Sequence, residues 1–162
     1  MSERPRNIIS WKNKITDISK LAWDQLALPM HTPFLEWDWL KLLEESGSAT
    51  IRTGWMPQHL TIWREDKLLA AAPLYIKGHS SGEFIFDNIW AEAAYKLGLP
   101  YYPKILGMAP FTPAGEYRFL IAEGEDENYL TSLLTQHIQA FCKSRGIAGC
   151  NFHFVSPAWK EL

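Results

Sequence analysis

Nine consecutive apolar residues, Leu68 to Ile76, are broken by a single proline, and this run constrains the fold more than any other stretch. A segment apolar on both faces needs cover on both, so it reads as an internal strand of a sheet packed between layers. Pro73 cannot donate a ladder hydrogen bond, so a bulge or a splayed partner is expected there. From Gln58 the hydrophobic period changes to two: Leu60 and Ile62 begin a short strand, and Arg64-Glu65-Asp66-Lys67 forms its turn. Leu60 to Ile76 is therefore predicted to be an antiparallel hairpin. The same run is far too short to cross a bilayer as a helix, which takes about 20 apolar residues.

Helical patterns flank this sheet. Ile15, Ile18, Leu21, Ala22 and Leu26 recur at helical spacing, with Thr16 or Asp17 as the expected cap and Pro29 as the stop. A second helix starts with Thr32 as N-cap and Pro33 at its first position, and ends before Gly47. Its Leu35, Trp39, Leu42 and Leu43 form one face, and Glu36, Lys41, Glu44 and Glu45 supply polar positions. A strand is predicted over Glu83 to Asp87, a short helix over Trp90 to Leu97, and a strand near Tyr117 to Ile121. The most regular pattern is the last: Leu130, Leu133, Leu134, His137, Ile138 and Phe141 share a helix face, with Asp126 in the capping region and Gly146 as the stop. A strand from Cys150 to Val155 follows. The order is mixed α and β, with one long helix between two strands, and no repeat or second domain divides residues 1–162.

At 162 residues, with 47% hydrophobic and 21% charged, the chain suits one globular domain and not a disordered one. Sixteen basic and eighteen acidic residues give a net charge of −2, which excludes a strongly basic DNA-binding protein and a polybasic membrane anchor. Cys142 and Cys150 are too few for a disulfide framework, and no CxxC or His-rich spacing points to a metal site. A reducing, cytoplasmic setting is the expectation from that cysteine usage. The N-terminal segment lacks the apolar core of a signal peptide.

Few residue patterns carry chemistry by themselves. Glu83 and Asp87 share one side of a strand but stand roughly 13 Å apart by rise, too far for a carboxylate dyad. His137 lies on an apolar helix face, where a core histidine is expected rather than a ligand. His79 opens the polar run His79-Ser80-Ser81-Gly82-Glu83, which suits either a polar-ligand loop or an ordinary turn. There is no GxSxG, no P-loop and no GxGxxG. The glycine-rich loop that binds the coenzyme A pyrophosphate at a helix start is absent as well, for Gly124 stands between the acids Glu123 and Glu125. Gly98 to Gly115 is stiffened by prolines and carries Tyr101, Tyr102, Lys104 and Phe111, so it reads either as a groove wall or as a rigid connection.

The stretches PFLEWDWLKLLEESGSAT (33 to 50), TGWMPQHL (53 to 60) and LLAAAPLYIKGHSSGEFIFDNIWAEAAYKLGLPYYPKILGMAPFTP (68 to 113) resemble the bacterial FemAB-like N-acyltransferase family. That family is related in fold to the GNAT acetyltransferases and is associated with peptidoglycan biosynthesis or recognition. Its members run to more than twice this length, with a second GNAT-like lobe and a Lys/Arg-rich motif. The resemblance therefore implies that this chain corresponds to the N-terminal lobe. It implies acyl or aminoacyl transfer to a small-molecule or peptide amine, with a peptidoglycan precursor among the acceptors. The donor is then an acyl-CoA or an aminoacyl-tRNA.

The resulting expectation is an α/β GNAT-like lobe with a mixed, mostly antiparallel sheet flanked by helices, contributing acceptor recognition. A non-catalytic binding module is the alternative. Self-association, or a second lobe, is expected to cover exposed apolar surface. The candidate substrate-binding residues are His79, Ser80, Glu83, Tyr101, Tyr102, Lys104, Phe111 and Thr112, where loop 79–83 meets segment 101–113. His79 and Glu83 would bind or deprotonate the acceptor amine, Lys104 would neutralise an acidic group on it, and Tyr101, Tyr102 and Phe111 would form an apolar wall. No catalytic residue is assigned from the resemblance.

Overall fold

The computed structural model describes residues 6–81, 85–113, 116–156 and 159. In chain order the elements are β1 (Asn7–Lys12), α1 (Lys20–Ala27), α2 (Trp37–Glu45), β2 (Met56–Pro57), β3 (His59–Arg64), β4 (Lys67–Ala72), β5 (Tyr75–Lys77), α3 (Asn88–Lys96), β6 (Lys104–Gly107), β7 (Leu120–Ile121), α4 (Glu127–Arg145) and β8 (Cys150–Phe152). Among the described residues two four-stranded sheets form, ordered β1-β3-β4-β7 and β2-β5-β6-β8. Among the described residues the strands pair antiparallel except β6 with β8, where Leu106 faces Asn151, and an isolated parallel bridge joins Tyr117 to Val155. The mixed, mostly antiparallel architecture flanked by helices is the one the sequence predicts.

The predicted hairpin forms as β3 and β4, with Leu60 opposite Ala72 and Arg64 opposite Lys67. Its irregularities fall in two places. Ile62 faces Ala70 while Trp63 faces Leu68, so Leu69 is the extra residue of a bulge in β4. At Pro73 the chain leaves the first sheet altogether, and β5 pairs instead with β2 and β6. The proline therefore marks a splay between sheets, not a bulge. Its carbonyl is satisfied by the buried Tyr117 hydroxyl, which donates to it at 2.8 Å.

Helices cover both sides of the first sheet. Trp23, Leu26, Leu35 and Leu40 pack with Leu68, Ala71 and Leu120 into one core. Leu130, Leu134 and Ile138 of α4 pack with Leu60, Ile62 and Ala70 into the other. The bulge at Leu69 is what lets Leu68 and Ala71 serve the first core and Ala70 and Ala72 the second. The capping of α4 follows its sequence: the Asp126 side chain accepts from Tyr129 N at 2.9 Å, and Gly146 takes φ 63° at the C-terminal end.

The two N-terminal helices depart from their predicted limits. Ile15–Asp17 is a separate 3-10 turn, and α1 begins after Ser19, whose hydroxyl accepts from Ala22 N. A continuous helix is prevented because Trp37 Nε1 donates to the carbonyls of Ile15 and Ile18 at 3.0 and 2.9 Å. Glu44 accepts from the Ile15 amide at the same corner. Glu44 is thus no solvent-facing residue; it also lies 3.1 Å from Nε2 of the buried His59. Thr32 caps only the turn Pro33–Leu35, since Glu36 is extended and α2 starts at Trp37. Leu40, not the exposed Leu42, fills the core from α2. The strand predicted over Glu83 to Asp87 does not form in Ile85 to Asp87, which leads directly into α3; Glu83 lies outside the described residues.

Candidate functional site

The loop after β5, the segment before α3 and the segment before β6 converge on one carboxylate. Asp87 occupies the N-cap position of α3, yet its side chain makes no capping bond. It accepts instead from Lys104 Nζ at 2.6 Å, Tyr102 at 2.9 Å, and Ser80 and Tyr101 at 3.2 Å each. The Ser80 and Tyr102 oxygens are 2.8 Å apart. Lys104 also donates to the Tyr101 hydroxyl at 3.2 Å and lies 4.4 Å from the centre of that ring. Lys104 and Asp87 are only 4% and 7% exposed, so their charges are largely desolvated and answer to each other.

These contacts set the protonation states. Burial pushes the Asp87 carboxyl up, but hydrogen bonds from Lys104 and Tyr102 outweigh it and hold the group below the usual carboxylate range. The Tyr102 phenol is pushed up to about 12, mainly by burial, with the Asp87 charge adding to it. At neutral pH Asp87 is therefore a carboxylate and Tyr102 a neutral phenol.

The charged pair faces a cavity of about 630 Å³. Trp90 and Ala94 of α3 form one wall, Asp87, Tyr101 and Lys104 another, and Asn151 and His153 face them from β8 and its continuation. Burial lowers the His153 imidazole pKa, and the Lys104 charge lowers it further against a weaker opposing pull from Asp87. His153 is therefore neutral at pH 7 and able to accept a proton.

The candidate residues thus divide between two neighbouring places. Ser80, Tyr101, Tyr102 and Lys104 gather on Asp87. His79, Phe111 and Thr112 line a second cleft with Arg52 and Leu43. There His79 bridges loops: Nδ1 accepts from the Ser81 amide and Nε2 lies 3.3 Å from the Arg52 carbonyl, so the proton sits on Nε2. Both ring nitrogens are engaged, as in a turn staple. Asp87 and His153 were not legible as site residues. The sequence offers Asp87 no partner carboxylate but the distant Glu83, and nothing in it brings β8 beside α3.

The FemAB-like family profile, described as peptidoglycan biosynthesis/recognition, matches residues 14–162. The chain belongs to this FemAB-like family. No curated protein matches the sequence. Among solved structures, the FemAB-like chain is similar to the aminoglycoside N-acetyltransferase AAC(6')-Iy in complex with CoA, at 10% identity and TM-score 0.57, covering 98% of this chain and 83% of that one. It is also similar to a GCN5-related N-acetyltransferase from Ralstonia eutropha, at 14% identity and TM-score 0.50, covering 91% and 83% respectively. The fold of this FemAB-like protein is that of the GNAT acetyltransferases.

The loop opening α4 does not fit the pyrophosphate of a coenzyme A. Asp126 already caps the helix, with Glu123, Glu125 and Glu127 beside it. Glu125 is held ionised by a hydrogen bond from Lys67 and, against some burial, by Arg64. Those cations are committed, and the like charge repels phosphate. Among the described residues no helix is long and apolar enough to cross a membrane.

Proposed function

We propose that this FemAB-like chain serves acyl or aminoacyl transfer to an amine, and that the cavity between α3 and β8 receives the acceptor, with a peptidoglycan precursor as its class. The observation that carries this reading is the neutral His153 facing the Lys104–Asp87 pair across one cavity. In the proposed step the acceptor nitrogen attacks the carbonyl carbon of an activated acyl ester or thioester. His153 takes the ammonium proton as the C–N bond forms. The carrier's C–O or C–S bond breaks, and the carrier leaves with a proton as alcohol or thiol. Two of the three Lys104 protons are committed to Asp87 and Tyr101, leaving one donor for a carbonyl or carboxylate of the acceptor.

The test is mass-spectrometric detection of a muropeptide acylated on a free amine, with an acyl-CoA or an aminoacyl-tRNA as donor. We expect transfer with one of them, and a His153→Asn variant with kcat reduced about 10²-fold or more at little change in KM. No transfer with either donor, or equal rates in the variant, would count against it. A muropeptide bound without turnover would favour the binding-module reading. The exposed Phe86, Ile89, Trp90, Tyr95, Leu97 and Leu99 around α3 support the further reading that a second lobe or a second copy covers this face.

A further inference from the structure

The second cleft has a chemistry of its own. It encloses about 640 Å³ between α2, the loop 46–54 that follows it, and the loops after β5 and β6. Leu43 and Phe111 give it apolar walls, and Arg52, Thr112, Ser81 and His79 are among its polar lining. Among the described residues no carboxylate lies within ion-pairing distance of Arg52. A guanidinium at an apolar cleft, with no counterion among the described residues, is a preformed half of an ion pair.

Three features hold this half in place. Thr53 Oγ1 donates to the Ser48 carbonyl at 2.7 Å, and the Trp55 amide donates to the Thr50 carbonyl at 2.8 Å, so the loop carrying Arg52 is internally tied. His79 donates to the Arg52 carbonyl from the far side. Gly54, at φ 75°, lets His79 press onto that loop: a Cβ there would come within 2.8 Å of the His79 carbonyl oxygen. Opposite, Phe111 sits at φ 57°, a left-handed conformation that is strained for a bulky side chain, and its ring packs 4.9 Å from that of the buried Trp55. Strain kept at an exposed aromatic on a cleft wall is a mark of functional placement.

We infer that this cleft binds the carboxylate of a small peptide or amino acid, with Arg52 as its bidentate partner and Phe111 and Leu43 against the adjoining apolar group. A carboxylate suits it better than a phosphate. Among the described lining residues Arg52 brings the one guanidinium, while both His79 nitrogens are engaged by backbone groups, so a dianion would lack its second cation. The inference does not need group transfer, and its failure leaves the reading of His153 untouched, because the two cavities are probed by different measurements.

The test is titration of the full chain with N-acetyl-alanyl-alanine, with its C-terminal amide and with inorganic phosphate, following the Arg52 side-chain Nε and the Phe111 and Thr112 amides by NMR. We expect saturable shifts with the acid and binding at least about tenfold weaker for the amide. Arg52→Gln lowers affinity for the acid to the same extent, and Arg52→Lys, which keeps the charge without the fork, falls between. Phe111→Gly keeps the backbone, since glycine adopts this φ without strain, and also weakens the acid. Arg52 is exposed, so its variants are expected to fold with unchanged thermal midpoints. Equal binding of acid and amide, affinity unchanged in Arg52→Gln, or no saturable shift with the acid would overturn the inference. Phosphate displacing the acid with higher affinity would overturn it as well.

Discussion

Lys104 Nζ lies 2.6 Å from Asp87 Oδ2, with the two side chains 5% and 9% exposed, so a buried ion pair ties the start of β6 to the start of α3. Neither charge has enough water to stand alone. Removing one partner leaves an uncompensated buried charge, whereas removing both leaves a packing problem.

Asp87→Leu and Lys104→Met are each expected to cost about 3–5 kcal/mol in urea unfolding. The double variant is expected to lose less than the sum, because neither charge is then stranded. Additive losses would mean that the pair is not energetically coupled.

Acid stability follows from two groups whose folded pKa values lie below their ordinary ones. His153 is lowered by burial; Asp87 is lowered because its hydrogen bonds outweigh burial. For either group the folded chain binds fewer protons than the unfolded chain between the two pKa values, so falling pH favours unfolding. The thermal midpoint should first drop as pH falls below about 6.5, and again below about 4. His153→Asn should remove the upper step and leave the lower. A profile flat from pH 7 to 5 in the wild type would contradict the assignment.

Cys150 behaves in the opposite sense. Burial, helped by neighbouring Cys142, pushes its thiol up to about 12. The thiolate is the reactive form, so labelling by a disulfide reagent at pH 8 should be slow in the native protein and fast in denaturant. The folded chain holds this proton longer than the unfolded one, so stability should fall as pH rises above about 8.5.

Gly107 is a packing glycine. A Cβ there would meet Phe152 Cδ1 at 2.5 Å and the Tyr117 hydroxyl at 2.7 Å. Since that hydroxyl also serves the Pro73 carbonyl, Gly107→Ala should disturb the junction of the two sheets as well as β6 and β8. A loss of about 1–3 kcal/mol is expected in chemical denaturation.

The apolar face around α3 is expected to drive self-association of the isolated chain, read by sedimentation at rising concentration. Ile89 and Trp90 are 78% and 69% exposed. Ile89→Asp with Trp90→Ser should shift the protein toward monomer without lowering its thermal midpoint. A strict monomer in the wild type would remove this reading.

What the sequence determined by itself is the local part. The α4 helix needed only its own periodicity, an aspartate at one end and a glycine at the other. The β3–β4 hairpin needed only a period of two before a polar turn and a continuous apolar run after it. Pro73 announced a break in pairing, because a missing N–H is a property of one residue. Tertiary structure decided everything that depends on distant partners. The N-terminal helix starts at Lys20 because the Trp37 indole and Glu44 take the backbone groups of Ile15 and Ile18. Tyr101, Tyr102, Ser80 and Lys104 were visible as polar or aromatic residues on two segments, but their common centre, Asp87, was not. Its carboxylate leaves the helix cap for four hydrogen bonds that exist only once three segments meet. His153 acquires its lowered pKa only from burial beside Lys104, across the parallel pairing of β6 and β8. A side chain's type is written in the sequence, but its charge state and partners depend on what the fold brings within about 4 Å of it.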